Sequence, residues 1–143
     1  MEGETWLLLE ERGKKENLNY KDLNKRLSKR ELGNLGENLA VEHLQREGLK
    51  ILARNYRCPK GEMDIIARDG DCLVFVEVRT RSSSSSGRAE ESIVFHKLQR
   101  LKAIAMLYLL EQNIKKWPSL RFDVVAINIT AEEPQINWLK NII

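Results

Sequence analysis

The chain has 143 residues, of which 42% are hydrophobic and 31% are charged, and its formal net charge is +3. This size and composition predict one globular domain with a substantial core and exclude a fibrous or low-complexity protein. Because the excess of positive charge is small, its distribution along the chain is more informative than its total.

Residues 1–31 are predicted to form a basic extension that precedes the domain. Tyr20, Leu23 and Leu27 follow helical spacing and are surrounded by lysines and arginines, which indicates an amphipathic helix. Such a helix could bind the domain, a partner subunit or nucleic acid, and docking on the domain is the simplest role. The apolar run at 7–9 is short and flanked by glutamates, so neither a signal peptide nor a membrane span is predicted.

The domain, residues 32–143, begins with a predicted helix over 33–48 that ends at Gly48. A strand over 50–57 follows. The remaining predicted elements are strands at 61–68 and 72–80, a helix at 90–116, and strands at 121–130 and 135–140. This order predicts an α/β domain with a mixed central sheet flanked by helices, built around an αβββαβ core.

Two classes of binding site receive no support from the sequence. Cys58 and Cys72 form no CxxC pair, so a zinc site is not predicted. A disulfide could form if their strands met, but two reduced thiols in the cytoplasm are favoured. Neither a GxGxxG nor a P-loop pattern is present, so no nucleotide cofactor is expected.

Acidic side chains interrupt the apolar runs on both sides of Asp69-Gly70, a dipeptide typical of hairpin turns. A buried charge needs a partner, so Asp64 and Glu77 on adjacent strands indicate a cation between them. A two-residue loop at Asp69-Gly70 makes the two acids diagonal neighbours, and a four-residue loop sets them opposite each other. An odd loop without a bulge would send them to opposite faces, but we expect them on one face.

These residues suggest a divalent metal site. Asp64 and Glu77 offer the oxygen ligands that Mg²⁺ and Mn²⁺ take, and Glu62 shares their face. The spacing Asp-x12-Glu-x-Arg resembles that of restriction-endonuclease-like, or PD-(D/E)xK, nucleases. We expect weak metal binding without nucleic acid, because Arg79 offsets part of the negative charge and substrate phosphates would complete the ligand shell. The alternative is an exposed hairpin with solvated charges.

A family likeness is carried by several longer runs of sequence. They lie at 36–40, 51–57, 61–70, 73–81 and 121–127. With these runs the chain resembles the YraN family, small bacterial proteins that are uncharacterised and endonuclease-like. The resemblance implies a restriction-endonuclease-like fold, similar to archaeal Holliday-junction resolvases, and a DNA substrate that is branched or otherwise structured. Resolvases of similar fold often work as dimers, so a homodimer is a further option.

The resemblance also assigns roles to single residues. Glu37 would point from the first helix to the metal site, although an acid is also favoured near any helix N-terminus. The family pattern ends Glu-Val-Lys, whereas position 79 is arginine. Arginine keeps its charge, so Arg79 could hold a phosphate but is a poor general base. It could instead pair with Glu77 or Glu62 and disable the site.

Other positive side chains are candidates for contacts with DNA phosphates. The serine-rich run at 82–87 predicts a mobile loop between Arg81 and Arg88, and Lys97 follows on the next helix. Together with Arg79, these residues predict a surface that binds DNA. Two other functions stay open: a nuclease-like module that binds nucleic acid or protein without cutting, and a plain structural or partner-binding protein.

Overall fold

The computed structural model describes residues 27–82, 95–130 and 133–142, which contain two helices and five strands. In chain order these are α1 (Lys29–Arg46), β1 (Lys50–Cys58), β2 (Gly61–Asp69), β3 (Cys72–Ser82), α2 (Phe95–Glu111), β4 (Ser119–Ile129) and β5 (Gln135–Leu139). The predicted order of elements is confirmed. The predicted helix around Tyr20 lies outside the described residues, as does the serine-rich run beyond Ser82.

Helix α1 begins earlier than predicted because a polar side chain caps it. The Ser28 hydroxyl accepts from the backbone N–H of Glu31, and the Glu31 carboxylate accepts from that of Ser28. This capping box satisfies two of the amides that every helix leaves open at its start, so the helix begins at Lys29 rather than at 33. At the other end Gly48 adopts a φ of 93°, and its predicted role as the stop signal is confirmed.

Helix α2 ends at Glu111, five residues before the predicted end at 116. Asn113 has a φ of 53°, and the N–H of Ile114 donates to the carbonyl of Leu109 at 3.2 Å. This is the Schellman arrangement, in which a left-handed residue turns the chain back over the last carbonyls. An asparagine, rather than the later Trp-Pro pair, therefore stops the helix.

The five strands form one mixed sheet in the order β1-β2-β3-β4-β5. The first three strands are antiparallel neighbours, β3 and β4 are parallel along their whole lengths, and β5 is antiparallel to β4. Parallel neighbours need a long crossover connection, and α2 lies in that connection. The predicted α/β class with a mixed central sheet is confirmed.

The two helices cover opposite faces of the sheet. Successive residues of β3 pack into different cores: Val74 and Val76 lie with Leu44 of α1, whereas Phe75 lies with Ile104 of α2. Side chains alternate along a strand, so each helix seals one face. The central part of β3 is thereby buried on both faces, which leaves the ends of the strands for a site.

Both cysteines, Cys58 and Cys72, are free thiols, as the sequence favoured. Among the described residues, no helix combines the length and the apolar character that crossing a membrane requires.

Candidate functional site

The turn between β2 and β3 determines how the predicted acidic residues meet. Asp69 pairs with Cys72, so the loop is Gly70-Asp71, centred one residue later than predicted. Gly70 has a φ of 59°, a value that such tight turns require and that glycine adopts without strain. The register that results is the one in which the two acids lie opposite each other.

The two strands separate at the acidic residues. Backbone pairing between β2 and β3 stops at Ile65 and Val76, and one step further the register sets Asp64 opposite Glu77. Beyond this point the Asp64 side chain replaces the missing backbone partner: its Oδ2 accepts from the N–H of Val78 at 2.8 Å. Asp64 therefore lies at a fork in the sheet.

Strand β2 is irregular at the same position. Met63 packs into the core under α2 and Ile65 into the core under α1, although a regular strand would send both to one face. Across from Asp64 in the β1–β2 register, Asn55 has a φ of 52°, a left-handed conformation that costs energy for a side chain. Since regular alternation fails here, the shared face of Asp64 and Glu77 stays a prediction.

Helix α1 supplies a third carboxylate near Asp64 and Glu77. Glu37 is buried, and its Oε1 accepts from Asn55 Nδ2 at 2.9 Å and from Arg54 Nε at 3.2 Å. The left-handed backbone at Asn55 and the buried carboxylate of Glu37 are thus parts of one arrangement. Its hydrogen bonds account for a conformation that would otherwise be strained.

Close approach of α1 to β3 makes this arrangement possible. A Cβ atom at Gly36 would lie 1.8 Å from the hydroxyl oxygen of Thr80, a distance that no side chain tolerates. Only glycine therefore lets the helix pack this closely, and the contact sets the position of the neighbouring Glu37.

The environment of Asp64 opposes its negative charge. The pKa of Asp64 is raised from 3.8 to about 7, mainly by burial and further by the charges of Glu77, Glu37 and Glu62, against the hydrogen bond from Val78, which lowers it. Near neutral pH this carboxyl is divided between its protonated and charged forms. A cation placed beside it would favour the charged form.

Arg79 forms an ion pair with an acidic residue of its own strand, β3. Its Nη2 forms an ion pair with the carboxylate of Glu77, and the two side chains are only 24% and 14% exposed. Of the two pairings that the sequence allowed for Arg79, the one with Glu77 is present; Glu62 instead pairs with Arg57 at 3.5 Å. Within the described ranges, the Nε of Arg79 is buried without a hydrogen-bond partner.

A cavity of about 470 Å³ opens at the fork. Among the described residues, its charged lining consists of the acids Glu37, Glu62 and Asp64 and the bases Lys29, Arg30, Arg79 and Arg81. Acids and bases thus share one pocket, which suits a ligand that combines a cation with an anion. Glu77 is not among the described residues that line the cavity, whereas its ion-pair partner Arg79 is.

The donor atoms agree in type with Mg²⁺ or Mn²⁺, because both ions prefer carboxylate oxygen and water. Among the residues that the structure describes, no three histidine, cysteine, aspartate or glutamate side chains are grouped so that they could hold a metal ion. Asp64 and Glu77 would have to share an ion with water and with substrate oxygens. Metal binding therefore stays a prediction.

Some predicted and some unpredicted residues remain to be placed. Arg88 lies outside the described residues, and Lys97 is described only as a position on α2. Sequence reasoning assigned Lys29 and Arg30 to the extension and so missed their place in the pocket. Asn55 was also missed, although asparagine within a strand pattern is unfavourable and could have marked an irregularity.

Comparison with known proteins agrees with the likeness seen in the sequence. Residues 36–127 match the uncharacterised protein family UPF0102. A UPF0102 protein of Desulfitobacterium hafniense is 54% identical over 114 residues, which are 78% of this chain and 94% of that protein. UPF0102 proteins of Caldicellulosiruptor saccharolyticus and Herminiimonas arsenicoxydans are 46% and 43% identical, over 80% and 82% of this chain and 98% and 90% of their own lengths. The resemblance to the YraN family is confirmed, and the chain belongs to family UPF0102.

Proposed function

We propose that this protein is a metal-dependent phosphodiesterase that cuts DNA, with Asp64 and Glu77 as its metal ligands. The observation that supports this most strongly is the position of Asp64. It lies opposite Glu77 where the sheet forks, its pKa is raised, and it lines a pocket with four cationic side chains. Perturbed acids in a pocket are typical of reactive sites.

Each part of the pocket has a role in this proposal. The cationic side chains bind the phosphodiester backbone, and Arg79 stabilises the negative charge that develops on the phosphate. A cation bound beside Asp64 would favour the charged form of its carboxyl group. A bound Mg²⁺ or Mn²⁺ would activate water and neutralise charge on the phosphate. Glu37, held by Asn55 and Arg54, lines the same pocket as Asp64.

Branched DNA is the proposed substrate class, and a homodimer is the proposed assembly. Both rest on the likeness of the family to Holliday-junction resolvases, since a four-way junction has two symmetric scissile positions. A shared fold supports a substrate only by analogy, so the cleavage assay compares branched with unbranched DNA.

A second candidate function follows from the ion pair between Arg79 and Glu77. It occupies one of the two proposed metal ligands and leaves a cationic surface in the pocket. A module that binds DNA without cutting it would have these properties, because a guanidinium contacts phosphate well but does not share a proton with water.

A cleavage assay separates the two functions. The wild type, Glu77→Ala and Arg79→Lys are incubated with single-stranded, duplex and four-way DNA in Mg²⁺ or Mn²⁺. For a nuclease, we expect slow cutting by the wild type, none by Glu77→Ala, and a gain of about tenfold or more for Arg79→Lys, since a positioned proton-transfer group contributes at least that much. The control is Arg68→Lys, at an exposed position on β2.

If no variant cuts any of the three DNAs with either metal while all of them bind DNA, the binding module is the better account. Calorimetry with Mn²⁺ adds an independent check. Glu77→Ala should abolish the binding of Mn²⁺, and unchanged binding would place the ion elsewhere.

A further inference from the structure

Arg79 connects two features that the proposed function treats separately. Its guanidinium holds Glu77 by an ion pair and also lines the pocket. A guanidinium carries five donors in a planar fork, and in the described part of the chain Nε has no hydrogen-bond acceptor. A buried donor without an acceptor is unfavourable, so Arg79 is only partly satisfied in the free protein.

The rest of the pocket favours an anion near Arg79. Arg81 of β3 and Lys29 and Arg30 of α1 line the same cavity. Two of the three lining acids are already offset by arginines: Glu37 by Arg54 and Glu62 by Arg57. The positive side chains therefore outnumber the acids that could still neutralise them. A phosphate group matches their charge and the planar donor geometry of a guanidinium group.

We infer that the pocket binds one phosphate of the DNA backbone through Arg79, supported by Arg81, Lys29 and Arg30, and that this contact draws Arg79 away from Glu77. Glu77 is then released to join Asp64 at the metal. This inference rests on the proposed function for the role of Glu77 as a ligand. It adds a sequence of binding events to that function: the DNA phosphate binds Arg79 first, and Glu77 then becomes accessible to the metal.

The exchange keeps every charge paired. Before it, the guanidinium pairs with a carboxylate; after it, the guanidinium pairs with phosphate and the carboxylate with the metal. DNA and metal must then strengthen each other's binding by the same factor, because coupling between two sites is reciprocal. An ion that entered the unoccupied protein would have to compete with Arg79, so metal alone binds weakly.

The test uses the full chain and two probes. Mn²⁺ binding without DNA is measured by calorimetry, and binding of a fluorescently labelled duplex is measured by anisotropy with and without Mn²⁺, with cleavage followed on the same samples. The variants are Arg79→Gln and Arg79→Lys. Arg68→Gln, which removes the same charge at an exposed position of β2, is the control for charge alone.

We expect Arg79→Gln to bind Mn²⁺ without DNA about tenfold more tightly than the wild type and to bind duplex about tenfold more weakly, within the usual range of coupling between sites. Mn²⁺ should raise the DNA affinity of the wild type by a larger factor than that of Arg79→Gln, in which only the direct contact of the ion with phosphate oxygens remains. Arg79→Lys keeps the charge but lacks the planar guanidinium group. Its Mn²⁺ and DNA affinities should change in the same directions as those of Arg79→Gln, by smaller factors. It serves as the test if Arg79→Gln does not fold, as judged by circular dichroism.

The remaining outcomes separate the inference from the proposed function. Equal Mn²⁺ affinity in the wild type and Arg79→Gln, or an equal gain in Arg68→Gln, overturns the inference, while DNA cutting that depends on Glu77 would leave the proposed function intact. Absence of Mn²⁺ binding in every variant, with and without DNA, overturns both.

Discussion

Two buried or partly buried aspartates of the sheet, Asp123 and Asp64, have opposite surroundings. Asp123 on β4 is 1% exposed and accepts hydrogen bonds from Arg121 Nε, Trp138 Nε1 and the N–H of Asn141, all between 2.8 and 3.1 Å. Its oxygens are saturated by donors from β4 and the C-terminal residues. A buried carboxyl group is well accommodated in such a place, because the hydrogen-bonding capacity that burial removes from water is replaced by protein donors.

Asp64 on β2 has the reverse environment. It accepts one backbone hydrogen bond, from Val78, and the charged groups that affect its pKa are the acids Glu77, Glu37 and Glu62. The comparison indicates how a structural carboxylate differs from one that is available to a ligand. The first is surrounded by donors, whereas the second is held in place with acceptor capacity and negative charge left over.

The largest effect on stability is expected from a substitution at Asp123. We expect Asp123→Ala to lower the free energy of unfolding by about 3–5 kcal/mol, because Arg121 keeps only Asp69 as an acidic partner and the indole N–H of Trp138 and the N–H of Asn141 lose their acceptor. Urea denaturation measures the loss. Asp71→Asn, at the exposed turn, is the control and should change stability by less than about 0.5 kcal/mol. A small loss at Asp123 would mean that its hydrogen bonds are not structural.

Asp64→Asn should raise the free energy of unfolding, which is the opposite effect. The raised pKa means that Asp64 stabilises the fold only while protonated; this contribution is complete below about pH 4 and is lost as the pH rises to about 7. At pH 8 we expect the variant to be more stable than the wild type by up to about 4 kcal/mol, the equivalent of the shift. The difference should vanish near pH 4 in denaturation curves. Equal stability at pH 8 would place Asp64 in a solvated site.

The packing that brings Glu37 to the site can be tested at two glycines of α1. Gly36→Ala should cost about 1–3 kcal/mol, because its Cβ collides with Thr80. The control is Gly33→Ala, whose Cβ meets nothing within 4 Å and which should gain up to about 1 kcal/mol from helix propensity. Thermal melts of both variants measure the contrast. Similar effects at the two positions would show that α1 is not held against β3.

The smallest effect is expected at Asn55. Asn55→Ala loses the hydrogen bond to Glu37 and keeps a left-handed backbone, so it should cost about 1–2 kcal/mol. Asn55→Gly loses the same bond but relieves the strain, and should lie within about 0.5 kcal/mol of the wild type. Chemical denaturation distinguishes the two variants. If alanine is tolerated as well as glycine, the left-handed conformation carries no cost.

Much of this arrangement could be predicted from the sequence. The order of elements and the presence of the hairpin follow from alternation and turn chemistry, which are local properties. The register was not fixed in this way: a loop at Asp69-Gly70 would make Asp64 and Glu77 diagonal neighbours, whereas the loop at Gly70-Asp71 sets them opposite each other. The capping box at Ser28 and the stop at Asn113 were also visible as local signals, and the apolar pattern obscured them.

What could not be predicted depends on contacts distant in sequence. The irregularity of β2 at Asp64 goes with the hydrogen bond between Asn55 and Glu37, which are 18 residues apart on different elements. The pairing of Arg79 with Glu77, two residues away on β3, was one of the two that the sequence allowed. The pairing of Glu62 with Arg57 of the neighbouring strand was not predicted.

The parallel pairing of β3 and β4 also has a consequence for the order of folding. The contact of Asp64 with Val78 spans 14 residues, whereas that of Asp69 with Arg121 spans 52 and needs the crossover through α2 to close. Contacts between distant residues form late, because the chain loses more entropy before they stabilise it. The contact of Asp64 with Val78 can therefore form within the β1–β2–β3 meander before the hydrogen bonds of Asp123 exist. Substitution of Asp123 should then speed unfolding more than it slows refolding.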